Sequence, residues 1–88
     1  MPEMRLSSIA LKSPSVIDVI HESLGLLSIY DKEMKVRSFS NTPDGQEMIL
    51  DGTMLQFRLL NLILKEKIPF MAEVSLRGEW YLIDDLHS

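Results

Sequence analysis

Two histidines are the only imidazole bases available to this chain, which contains no cysteine. Nucleophilic catalysis needs a nucleophile and a base within hydrogen-bond reach of each other. His87 lies one residue before the end of the sequence, where chains usually fray. His21 follows Asp18 by three residues on a predicted helix, but a metal site needs more ligands than this pair. A solvated helix face explains the pair better, so we expect neither a catalytic nor a metal site.

Adjacent carboxylates, Asp84 and Asp85, could support acid–base or cation chemistry. Neighbouring strand residues point to opposite faces, so a charged strand end explains them better. The four glycines form neither GxGxxG nor the spacing of a phosphate-binding loop. An enzyme would need a pocket closed by a second subunit, with carboxylates such as Glu73 or Asp84. We therefore expect a noncatalytic protein without a cofactor or small-molecule substrate.

Lys32, Lys35 and Arg37 form the one basic cluster, and Phe39 is close by. On a strand, Lys35, Arg37 and Phe39 would share one face, where a sheet can stack bases and hold phosphates. Acidic residues are interspersed, and the formal net charge is -4, which makes nonspecific nucleic-acid binding unfavourable. We therefore interpret the cluster as the solvent-exposed face of an edge hairpin. A nucleic-acid-associated or phage-type regulatory protein is the alternative hypothesis.

The 88 residues, of which 45% are hydrophobic, suffice for one domain but not for two. We expect a single globular domain over 1–88, with 1–4 and 86–88 frayed. No apolar run approaches the roughly 18 to 20 residues of a membrane span. The N-terminal residues also lack the apolar stretch of a secretory signal. Because the absence of cysteine fits a reducing compartment, the prediction is a cytoplasmic protein.

The first predicted helix, near 14–24, starts at a serine–proline pair and shows apolar residues at three- and four-residue spacing. Gly25 is a candidate C-terminal cap. The pattern then alternates, which predicts a hairpin near 26–39, although a helix continuing to Tyr30 is an alternative. Residues 5–12, before the helix, are a weak strand or an ordered arm.

Turn chemistry is strongest at 40–45, where Pro-Asp-Gly follows a polar run, and 48–50 could form a short third strand. A second helix near 54–66 begins with the capping-box pattern of Thr53 and Gln56 and ends before a proline. It is apolar on nearly all sides, which is typical of a helix that is central or shared with another chain.

A final hairpin is predicted near 70–84, with a tight turn at Arg77 and Gly78. A two-residue loop would pair Leu76 with Glu79, Val74 with Tyr81 and Ala72 with Ile83 on one face. The opposite face would carry Met71, Glu73, Ser75, Trp80 and Leu82.

Together these elements predict an α+β two-layer sandwich, with two helices packed on one face of an antiparallel sheet of hairpins, in the order α-β-β-β-α-β-β. The predicted core includes Ile17, Ile20, Leu24, Leu59, Leu62, Ile63, Val74 and Ile83.

Excess apolar helix surface and the lack of chemistry favour a noncatalytic protein–protein interaction module, such as a small regulator, adaptor or chaperone-like subunit. Self-association as a homodimer is the expected mode. Trp80 and its apolar neighbours resemble a partner surface in composition, unless the first helix or the N-terminal arm covers them. The predicted partner or dimer interface is Phe57, Leu60, Leu64, Met71, Trp80 and Leu82.

Overall fold

The computed structural model describes residues 2–30 and 32–86, the side chain of Tyr30 excepted. Over these ranges the chain forms two helices and a five-stranded antiparallel sheet, which confirms the α+β two-layer class. Neither helix has the length and apolar character needed to cross a membrane. The elements are β1 (Glu3–Ser8), α1 (Pro14–Leu27), β2 (Lys35–Thr42), β3 (Gly45–Asp51), α2 (Met54–Lys65), β4 (Met71–Leu76) and β5 (Glu79–Leu82), with short 3-10 turns at Ser28–Tyr30 and Ile83–Asp85.

The sheet has the strand order β2-β3-β1-β4-β5, and all neighbours are antiparallel. Strands β1 and β2 are therefore parallel to each other with β3 between them, and β3 and β4 are parallel with β1 between them. This is a double split βαβ arrangement extended by β5. The observed order, β-α-β-β-α-β-β, corrects the predicted α-β-β-β-α-β-β in two ways. A strand precedes the first helix, and two strands rather than three lie between the helices.

Strand β1 is the central strand of the sheet, which confirms the strand alternative for the first half of 5–12. Glu3 and Met4, which were predicted to be frayed, belong to this strand. It pairs with β3 on one side and β4 on the other. Met4 and Leu6 point towards the helices and are fully buried, whereas Arg5 points to the opposite face. The alternation is short, and serines follow it, which is why the sequence pattern appeared weak.

Helix α1 continues past Gly25 to Leu27, which rules out the predicted cap at Gly25 and the hairpin at 26–39. The buried stripe of the helix includes Leu24 and Leu27, so one more helical turn covers more of the core. The helix begins as predicted, with Ser13 extended and Pro14 in the first position. The chain then reaches the sheet only at Lys35.

The hairpin that follows α1 consists of β2 and β3, with the turn at Pro43 and Asp44. The loop predicted over 40–45 is therefore mostly strand, because β2 extends to Thr42. A register shift between Val36 and Ser38 places a bulge in β2.

Helix α2 has the predicted capping box. The Thr53 side chain accepts a hydrogen bond from the Gln56 amide at 3.1 Å, and Gln56 Oε1 accepts one from the Thr53 amide at 3.0 Å. The helix ends at Lys65, within one residue of the prediction. Four predicted core residues are confirmed as buried, namely Ile20, Leu24, Val74 and Ile83. Three others, Ile17, Leu59 and Ile63, are half-buried, and Leu62 was wrongly placed in the core because it is exposed.

The β4–β5 hairpin has the predicted turn, with positive φ angles of 54° at Arg77 and 82° at Gly78. Val74 pairs with Tyr81 and Ser75 with Trp80, which confirms the predicted register. The predicted partnership of Ala72 with Ile83 is not a strand pair, because Ile83 begins a 3-10 turn. That turn directs Ile83 into the core, where it is buried.

Gly45 is the position where a side chain conflicts most with the fold. Its φ is 149°, and an added Cβ would lie 2.5 Å from the Ser8 carbonyl oxygen. Gly45→Ala should therefore lower the free energy of unfolding by roughly 1–3 kcal/mol through overpacking, in addition to the backbone cost. Gly78→Ala is the matched control, because its φ is also positive but its added Cβ meets nothing within 4 Å. Urea unfolding should show the larger loss for Gly45→Ala, and equal losses would contradict the close approach of β1 to the turn.

Candidate interaction surfaces

The residues predicted to form an interface on α2 lie in the core instead. Phe57, Leu60 and Leu64 are fully buried against the rest of the hydrophobic cluster. They recur along the side of α2 that faces the sheet, so a second chain could not reach them in the folded protein. This part of the interface prediction is wrong.

The opposite side of α2 and the end of α1 expose aliphatic side chains. Leu55 and Leu62 on α2 are 55% and 62% exposed, and Leu26 and Ile29 at the end of α1 are 62% and 78% exposed. Because Leu55, Leu59 and Leu62 follow four- and three-residue spacing, they form one stripe along α2. We define the helix-layer patch as Leu26, Ile29, Leu55, Leu59, Leu62 and Ile63.

A cleft of about 240 Å³ joins the two halves of this patch. It is lined by Leu26, Leu27 and Ile29 from the α1 end, and by Leu59 and Ile63 from α2. None of the residues that line the cleft or form the patch is charged. The sequence contained a signal for this surface, since α2 is apolar around most of its circumference, but periodicity alone did not show which side faces outward.

Trp80 lies on the face of the sheet opposite the helices, which we call the open face. The Arg5 guanidinium carbon lies 4.2 Å from the centre of the Trp80 ring, a distance typical of a cation–π contact. Arg5 Nε also donates a hydrogen bond to Glu73 at 3.0 Å. Strand β1, the predicted arm, thus covers Trp80 in part, while Met71 and Leu82 remain exposed at this margin of the sheet.

The basic cluster does not form the predicted common face with Phe39. Lys35 pairs with Asp51 on the open face, whereas Phe39 pairs with the buried Met48 and therefore points to the helix side. The bulge at Arg37 causes the difference, because it adds a residue between them. The shared face predicted for Lys35, Arg37 and Phe39 is therefore wrong.

Ion pairs offset the charge of Arg37. One of its terminal nitrogens lies 2.8 Å from Glu3, and Nε donates to Asp51 at 3.1 Å. Its other terminal nitrogen lies 3.0 Å from Asp51 Oδ1 as a charge contact without hydrogen-bond geometry. At Lys32, the third member of the cluster, the backbone carbonyl accepts a hydrogen bond from Gln56 at 2.7 Å. The ion pairs leave Arg37 with little uncompensated positive charge to offer a phosphate backbone.

Strand β2 is an edge strand with unusual exposure on both faces. Every residue from Lys35 to Asn41 is exposed, including Val36 and Phe39 on the helix side. The sheet pairs β2 with β3 alone. Neither helix covers β2, so its side chains and one backbone edge face solvent.

The residues considered for catalysis or metal binding do not converge. Asp18 and His21 are both exposed on α1, and within 2–30 and 32–86 no group of three potential metal ligands comes together. Asp84 instead links the 3-10 turn Ile83–Asp85 to α2. Its Oδ1 accepts a hydrogen bond from Asn61 at 3.0 Å and lies 2.8 Å from Lys65 Nζ. The prediction for His87 lies outside the described residues.

Comparison with family models, curated proteins and solved structures finds no match for this chain. The exposed surfaces of the chain are therefore the basis for inferring its function.

Paired leucine substitutions on α2 test which side of the helix is buried. Leu60→Ala should lower the free energy of unfolding by about 2–5 kcal/mol, because it leaves a cavity in the core. Leu62→Ala should change it by no more than about 0.5 kcal/mol, because it alters an exposed position. Chemical denaturation of dilute protein provides the measurement. A larger effect at Leu62 than at Leu60 would show that α2 is rotated relative to this description.

Asp84 should make stability depend on pH. The hydrogen bonds from Lys65 and then Asn61 hold the pKa of the Asp84 carboxyl below its usual value. Because the folded-state pKa is lowered, the ionised carboxylate stabilises the fold above about pH 4. This contribution disappears as the pH falls through the lowered folded-state pKa. Thermal unfolding of the wild type and Asp84→Asn should differ at neutral pH and converge in acid, whereas a difference independent of pH would exclude this role.

Proposed function

We propose that this protein is a noncatalytic protein–protein interaction module that acts as a homodimer, with a second copy covering the helix-layer patch. The observation that carries the proposal is the exposure of aliphatic side chains from both helices around one uncharged cleft. Contiguous apolar patches on soluble monomers are commonly interaction sites. Single exposed leucines would not support this conclusion, but a continuous set does.

The composition of the patch suits a second copy. In a two-fold contact the same surface meets itself, so the centre must be self-complementary. Six aliphatic residues meet this condition because they need no charge partner. One helical turn from residues of the patch, α1 carries Glu22 and the sequence of α2 and its C-cap carries Arg58 and Glu66, so both signs are present. Opposite charges can therefore meet at the rim of the interface.

The six aliphatic residues of the patch are enough for the centre of an interface but not for the whole of it. A standard interface buries roughly 800 Å² on each partner, with an apolar centre and a polar rim. An apolar patch of a few hundred Å² can form that centre, at about 25 cal/mol per Å² of buried apolar area. Part of this gain offsets the lost translational and rotational freedom of the two chains.

The nucleic-acid hypothesis has less support from the described residues. Arg37 is ion-paired with Glu3 and Asp51, and Trp80 already stacks with Arg5. Both features reduce what a sheet surface could offer to phosphates and bases. Binding to single- or double-stranded oligonucleotides at low salt, weakening as salt rises, would favour that alternative instead.

Sedimentation equilibrium of the wild type and of Leu26→Glu and Leu62→Glu tests the proposed interface. Each substitution places a charge within the apolar patch, where it would be buried without a partner, so self-association through the patch should weaken by roughly tenfold or more. Both positions are exposed in the single chain, so folding should be preserved, as circular dichroism can confirm.

Ile9→Glu is the matched control, because Ile9 is an exposed aliphatic residue outside the patch. It should leave the association through the helices unchanged. A wild type that sediments as a monomer at millimolar concentration would contradict the proposal. Equal weakening by Ile9→Glu and Leu62→Glu would show that the effect is not specific to the patch.

A further inference from the structure

The free edge of β2 has features that the helix-layer patch does not explain. Residues 38–42 form a regular segment with the sequence Ser-Phe-Ser-Asn-Thr, which carries no charge. The opposite edge strand, β5, has four residues and is shorter than β2, which has eight. Unpaired edges are templates for another strand, and proteins usually protect them with charges, bulges, prolines or covering elements. In β2 the charges of Lys35 and Arg37 and the bulge lie at the start of the strand, so residues 38–42 carry neither a charge nor a bulge.

We infer that β2 is a second self-contact, in which the β2 strands of two copies pair antiparallel around a two-fold axis near Ser40. Residues whose numbers sum to 80 would then face each other. Ser38 would face Thr42 of the second copy, and Phe39 would face Asn41 of the second copy. Such pairing satisfies backbone groups through strand addition and joins two sheets into one.

Charges at the two ends of this segment are complementary in this register. Lys35 precedes it and Asp44 follows it, and neither makes an ion pair within 2–30 and 32–86. Antiparallel pairing brings Asp44 of each copy towards the Lys35 end of the other. A parallel arrangement would instead place like charges together.

Phe39 supplies the apolar part of the contact. It lies on the helix side of the sheet and is 42% exposed. In the proposed register the two Phe39 rings are diagonal neighbours across the axis, a separation that aromatic side chains can bridge. The second copy would therefore cover an aromatic ring that neither helix of its own chain reaches.

Two different two-fold contacts on one chain produce assemblies larger than a dimer. An assembly larger than a dimer requires the proposed contact between the helix-layer patches. The β2 contact itself does not depend on that proposal. The two contacts lie on different elements, so substitutions can remove them separately.

Sedimentation equilibrium of four proteins tests the inference: wild type, Leu62→Glu, Phe39→Lys and the double variant. We expect wild type above the mass of a dimer, each single variant as a dimer, and the double variant as a monomer. A monomeric Leu62→Glu protein beside a dimeric wild type would overturn the β2 contact and leave the helical dimer intact. A monomeric Phe39→Lys protein beside a dimeric Leu62→Glu protein would support β2 and contradict the helical dimer.

Tyr81→Lys is the control for Phe39→Lys. Tyr81 is 41% exposed, lies on the same side of the sheet as Phe39, and belongs to the opposite edge strand. The Tyr81→Lys substitution should not change the mass of the assembly. An equal reduction by both lysine substitutions would overturn a specific role for β2.

Charge reversal tests the register. In the Leu62→Glu background, Lys35→Glu and Asp44→Lys should each weaken the β2 dimer severalfold, because each places like charges together. Combining them restores opposite charges across the axis and should recover the association of the Leu62→Glu protein. Failure of the combination to recover any association would overturn the antiparallel register.

Discussion

The buried side-chain amide of Gln56 joins three parts of the fold: the end of α1, the connection from α1 to β2, and the start of α2. Its oxygen accepts from the Thr53 amide at the start of α2, while its nitrogen donates to the Lys32 carbonyl at 2.7 Å. A longer contact of 3.5 Å reaches the Leu27 carbonyl at the end of α1. Burying an amide costs free energy unless hydrogen bonds compensate. The partners of Gln56 therefore constrain where α1 ends, how the chain returns to the sheet and where α2 begins.

With the helices held in this way, the exposed surfaces follow from geometry. Two helices cover the middle of the sheet, where Met4, Leu6, Leu50 and Val74 are fully buried. They do not cover β2, whose side chains stay exposed on both faces. One helix also has only one side against the sheet, so the remaining leucines of α2 face outward. The helix-layer patch and the β2 edge therefore have a common origin, because the chain has more apolar and strand surface than its own layers can cover.

Charges on the open face act mainly within the molecule. Arg5 links Glu73 to the ring of Trp80, and Arg37 links β2 to Glu3 and Asp51. These contacts join neighbouring strands across a face that no helix covers. Of the basic cluster that suggested nucleic-acid binding, they account for Arg37. The proposal of a protein interaction module depends instead on the uncharged surfaces.

Elements with strong local signals could be predicted from the residues alone: the start of α1 at Pro14, the capping box of Thr53 and Gln56, and the turn and register around Gly78. The α+β class was predictable too, because the periodicities of α2 and of the last hairpin are distinct. Three features emerge only in the folded chain: β1 is central, α1 continues through Gly25, and Leu60 faces the core while Leu62 faces solvent. These outcomes depend on contacts between residues distant in sequence. A helix that is apolar around its whole circumference could be rotated about its axis in several ways, and packing against the sheet selects one of these orientations.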